Sequence, residues 1–92
     1  MKIRFSRSSC IVSFEQNERF EGKEFRIEGE LISDGFQFNS QSINEIFIDE
    51  MGLRRSKPIS EIIMNDLINQ IKSEGLKQNF NFELWSTKHE GV

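Results

Sequence analysis

The sequence predicts an α+β fold: a mostly antiparallel sheet of about five strands with one amphipathic helix packed on one of its faces. Three observations predict it. Apolar and polar residues alternate through the first two thirds of the chain, apolar residues recur every three or four positions after Pro58, and the run NFNFELW returns to alternation. At 92 residues the chain is one small domain, because domains usually run to roughly 100–150 residues.

The elements follow in order. Ile3 and Phe5 alternate with Lys2 and Arg4, and Cys10, Val12 and Phe14 share a face opposite Ser13 and Glu15. The stretch FRIEGELI is the clearest strand. There Phe25, Ile27 and Leu31 point one way and Glu24, Arg26, Glu28 and Glu30 the other, the pattern of an antiparallel strand with one wet face. Gly29 falls on the apolar side, where a missing side chain predicts a bulge or close packing by a large neighbour such as Trp85 or a Phe. Ser33-Asp34-Gly35 supplies turn chemistry, and Phe36 and Phe38 alternate with Gln37 and Asn39 on a returning strand. With a turn at Gln16-Asn17-Glu18 and a break at Glu21-Gly22-Lys23, residues 2 to 40 form a meander of three or four strands.

Residues 43 to 48 suit either a helical turn, through Ile43, Ile46 and Phe47, or a short strand with Ile46 and Ile48 on one face; a short strand is expected. Met51 to Pro58 has no usable pattern, contains Gly52 and the only Pro, and reads as an exposed connection from sheet to helix. Ile59, Ile63, Met64, Leu67, Ile68 and Ile71 then form one stripe opposite Glu61, Asn65, Asn69 and Lys72, so a helix packs on the sheet. Ser60 is its N-cap, and Gly75 is expected at C′ in the left-handed conformation, with Leu76 folding back on Ile71. In the last strand Phe80, Phe82 and Leu84 oppose Asn81, Glu83 and Trp85, and residues 86 to 92 read as a frayed tail.

Composition narrows the function. No apolar run approaches the roughly 20 residues of a membrane span, and MKIRFSRSS lacks the apolar stretch of a secretory signal, so a cytoplasmic protein with no membrane partner is expected. Cys10 alone forms no internal disulfide, and the single imidazole, His89, has no second His or Cys nearby, so neither a metal nor another cofactor is expected. Charge is unevenly spread: residues 1 to 14 carry +3, residues 15 to 50 carry −7 and residues 51 to 92 carry +1, which makes the −3 of the whole chain. An acidic surface repels phosphate backbones and steers basic proteins toward it. Net charge for solubility is the plainer account of the same acids.

No enzyme is expected. Ser8, Ser9 and Cys10 are candidate nucleophiles, but the only His is in the tail and no Gly-x-Ser-x-Gly elbow is present. The pairs Glu28/Glu30 and Asp49/Glu50 offer carboxylates for acid–base work without a third anchoring group, and solvated charges are the simpler reading. The six glycines form no phosphate-cradling motif. Phe residues beside Lys and Arg, with the Arg54, Arg55 and Lys57 cluster, would suit nucleic acid. The chain is acidic overall, however, and its Phe residues take core-facing positions.

The stretch FRIEGELISDGFQFNSQSINEI, with an Ile-Glu-Gly-Glu strand, a Gly-Phe hairpin partner, a Ser-Ile step and a helix opening near Ile59-Ser60, resembles a family of small immunity proteins. These belong to bacterial polymorphic-toxin and contact-dependent growth inhibition systems. The resemblance covers roughly residues 24 to 72 and rests on Ile27, Glu28, Gly29, Glu30, Gly35, Phe36, Ser42, Ile43 and the helix. It implies a protein that covers a toxin's active site or substrate-docking surface; many such toxins are nucleases with basic clefts. The expected partner-binding residues are Glu28, Glu30, Asp34, Glu45, Asp49 and Glu50, each of which has an ordinary solvated carboxylate as its plainer reading. A small binding or regulatory module, for nucleic acid or another ligand, is the alternative.

Overall fold

A computed structural model describes residues 1 to 15 and 19 to 85. The strands are β1 (Lys2–Phe5), β2 (Ser9–Ser13), β3 (Glu24–Ile32), β4 (Gly35–Ile48) and β5 (Arg54–Pro58), followed by helix α1 (Glu61–Leu76) and strand β6 (Asn81–Leu84). Strands β1 to β5 form an antiparallel meander in chain order, and β6 joins as a parallel neighbour of β4. The turn expected at Gln16-Asn17-Glu18, the tail after Trp85 and His89 lie outside the described residues.

Alternation sets the two faces of the sheet. Val12 stands opposite Phe25, Cys10 opposite Ile27 and Ile27 opposite Ile43, so these side chains share the buried face. Phe36, Phe38 and Phe82 continue it, and Leu67, Ile68 and Ile71 of α1 close over it. Phe14, Phe20 and Phe25 pack at centroid distances of 5.6 to 5.9 Å, two of the three contacts edge-on, the arrangement that ring quadrupoles favour. Glu24, Arg26, Glu28 and Glu30 point to the other face, which no described element covers. The helix begins as expected, with the Ser60 hydroxyl accepting from the Ile62 amide at 3.3 Å.

Four features depart from the sequence reading. Arg54–Pro58 is a strand rather than a connection: it pairs with residues 44 to 48 through the turn at Gly52, whose φ is +79°. It lacks a pattern because every one of its residues is exposed, and an edge strand of Arg, Lys and Pro resists pairing with other chains. Residues 43 to 48 are the second half of one 14-residue strand. That strand is interrupted where Asn39 to Ser42 stand against Glu28 alone, and the Ser42 hydroxyl lies 2.6 Å from both the Glu28 and the Asn39 carbonyl oxygens. Gly29 sits beside this irregularity, and a Cβ there would lie 2.1 Å from the Gln37 carbonyl and 2.9 Å from the Phe36 ring. The expected bulge and the expected aromatic neighbour thus occur together.

The helix end is the third departure. Gly75 lies inside α1, and the left-handed residue is Asn79 at φ 60°. Gly75 is required by packing instead: a Cβ would sit 2.6 Å from the Phe82 ring and 2.7 Å from the Phe80 carbonyl, whose own amide donates to the Gly75 carbonyl at 2.9 Å. Leu76, the fourth departure, points to solvent at 62% exposure rather than folding back on Ile71. Alanine favours a helix over glycine by about 1 kcal/mol. Its methyl would nevertheless force apart a helix and a strand held by backbone, so Gly75→Ala should lower the unfolding free energy by about 1–3 kcal/mol. A urea midpoint equal to or above that of the native chain would show that β6 does not pack as tightly as described.

Candidate functional site

The uncovered face of the sheet is the candidate site, and strand register fixes what it displays. Arg4, Ile11, Arg26 and Asn44 follow one another across β1 to β4 in one row. The adjacent row holds Lys2, Ser13, Glu24, Ile46 and Ser56. Glu24 is the hub: its carboxylate meets the Arg54 guanidinium at 3.0 Å and that of Arg4 at 3.8 Å, and accepts from the Ser13 hydroxyl at 3.1 Å. Arg26 has no carboxylate partner among the described residues. Ile46, buried beneath these side chains, floors the region with Ile11.

The opposite end of the same face is acidic. Glu28 follows Arg26 by two residues on β3, Glu30 follows Glu28, and Gln37 stands between Glu30 on one side and Glu83 on the other. One end therefore carries Lys2, Arg4, Arg26 and Arg54 around a single carboxylate, and the other carries Glu28, Glu30 and Glu83. Trp85, 44% exposed, continues β6 past Glu83 toward Asn39, Ser40 and Gln41 in the middle of β4, its amide donating to the Phe38 carbonyl at 2.7 Å.

The structure brings two of the six expected residues together. Glu28 and Glu30 are exposed neighbours on the open face. Asp34 lies in the β3–β4 turn, where its carbonyl accepts from the Asn81 amide at 2.9 Å. Glu45 stands across from Phe25 on the helix-covered side and pairs with Lys23 at 3.2 Å. Asp49 and Glu50 lie in the β4–β5 turn, fourteen strand residues away from Asp34. Sequence reasoning missed Arg4, Arg26 and Glu83, and placed Arg54 only in a local cluster with Arg55 and Lys57. Arg4 and Arg26 alternate visibly with apolar neighbours, but only cross-strand register shows that they converge with Arg54.

Ionisation is perturbed at structural positions. Burial pushes the Cys10 thiol up to about 12, so it behaves as a small apolar core residue. The Lys77 ammonium, 2.9 Å away, holds Glu74 below the usual carboxylate range against the opposing effect of its burial. Asp49 is lowered chiefly by its hydrogen bond from Arg55, and further by the Leu53 and Met51 amides, each donating to Oδ1 at 2.9 Å. No group of three or more potential ligands is placed to hold a metal among the described residues, and no described helix is long and apolar enough to cross a membrane. Comparison with family models, curated proteins and solved structures returns no match.

Because folding lowers the Asp49 pKa, the folded chain binds that proton more weakly than the unfolded chain does. The stability it contributes is present above the ordinary aspartate value, about 3.9, and is lost as pH falls through the lower folded value. Denaturant titrations between about pH 5 and pH 2 should show stability falling more steeply for the native chain than for Asp49→Asn. Equal slopes would uncouple the turn from folding.

Proposed function

We propose that this protein acts by binding rather than by catalysis, as an immunity protein that neutralises a cognate bacterial toxin by covering its active site or substrate-docking surface. The observation that carries this reading is the open face, an uncovered sheet surface with its charge sorted into an acidic and a basic end. A dipolar face orients a macromolecular partner during encounter and penalises the reversed complex. Its acidic end, Glu28, Glu30 and Glu83, suits the basic cleft of a nuclease and repels a phosphate backbone, which disfavours nucleic acid as the direct ligand. Glu28 and Glu30 also belong to the Ile-Glu-Gly-Glu strand on which the resemblance to immunity proteins rests. Such a protein works in the cytoplasm, where its toxin would otherwise act.

The test is co-expression with the C-terminal domain of the protein encoded immediately upstream. Restored growth and a stoichiometric complex are the expected result; toxicity without rescue would overturn the reading. In the complex, reversing both charges in Glu28→Lys and Glu30→Lys should leave the fold intact and slow association at low salt by about tenfold or more. An unchanged association rate would remove these residues from the interface.

A further inference from the structure

We infer that the arginine end of the open face is a groove for a short acidic peptide segment of a partner protein, laid in extended form across the strands. This goes beyond the role proposed above: none of the six expected acidic residues lines the groove, and the inference stands or falls without the toxin. Two adjoining hollows, of about 380 and 500 Å³, share Arg26 and Arg54 in their walls and together run from Ser6 and Arg4 to Ser56. Ile46 lines the first and Ile11 the second, which gives the groove aliphatic surface between its guanidinium groups.

Charge argues for a carboxylate-bearing occupant. Glu24 shows how such a group is held here, by two guanidinium groups and a serine hydroxyl. Arg26, on the same strand and two residues away, points to the same face and is not neutralised by any described carboxylate. Arg4 and Arg54 are 69% and 52% exposed, so each retains donors for a second acceptor. Crossing from β1 to β5 covers four strand spacings of about 4.8 Å, the reach of about six extended residues. A peptide is favoured over a nucleic-acid strand on two grounds. The floor is aliphatic, and Phe5, the aromatic residue at its rim, stands opposite the buried Cys10 and stacks on Phe80, whereas bound bases need free aromatic faces to stack on. Glu24 within the groove and Glu28 beside it repel a continuous phosphate chain, while side-chain carboxylates on alternate residues fit between them.

The probe is a fluorescently labelled peptide of about six glutamates, titrated with the full chain at low ionic strength and followed by anisotropy. Saturable binding is expected, weakened about tenfold or more in Arg26→Gln/Arg54→Gln and unaffected by Lys72→Gln on the helix. Glu24→Gln should instead tighten binding severalfold, because it releases Arg4 and Arg54. This gain of binding tests the groove even if the arginine variant fails to fold. Absence of saturable binding would overturn the inference, as would binding indifferent to both the arginine and the Glu24 substitutions. Tighter binding of a thymidine oligonucleotide of equal charge would also overturn it, in favour of a phosphate site.

Discussion

The architecture depends on β4 being paired along both of its edges. Strand β3 runs beside it over nearly its whole length, while the other edge is divided between β5, which takes residues 44 to 48, and β6, which takes residues 35 to 38. The extra residues Asn39 to Ser42 separate the two halves, and the single Ser42 hydroxyl proton is within reach of either the Glu28 or the Asn39 carbonyl. Glycines then allow the approach: at Gly35 a side chain would collide with the Asn81 backbone, and at Gly75 with Phe80 and Phe82. The helix reaches the sheet at its C-terminal end only because those positions carry no side chain.

Much of this was legible in the residues. The wet and dry faces of β3, the hairpin at Ser33-Asp34, the helix and its Ser60 cap follow from period and capping chemistry, which act over a few neighbouring positions. What was not legible depends on which strands meet. Nothing in Arg54–Pro58 announces a strand, because an edge strand exposed on both sides has no face to bury. Gly75 carries the composition of a helix terminus but serves a contact with Phe82, seven residues further on. The parallel placement of β6 is fixed by its docking against Phe36 and Phe38, and no local pattern encodes it.

The candidate site divides in the same way. Glu28 and Glu30 were identifiable one by one from alternation on a single strand, and they stay together. Asp34, Glu45, Asp49 and Glu50 are acids of the same chain segment, yet the fold sends them to two turns and to the helix-covered side. Conversely, Arg4, Arg26 and Arg54 are scattered in sequence and meet in space. The net charge of −3 therefore describes the molecule poorly, since it conceals a basic region on the open face.

Strand order also governs how the chain assembles. Strands β1 to β5 pair with their sequence neighbours, whereas β6 must find Gly35 to Phe38 from the far side of the helix. Short loops close at lower entropic cost than long ones, so the pairings of the meander carry the smaller closure cost and that of β6 the larger. Every charged residue of the open face except Glu83 comes from the meander. The charged open face is thus drawn by local pairings, and the long-range closure seals the hydrophobic side behind it.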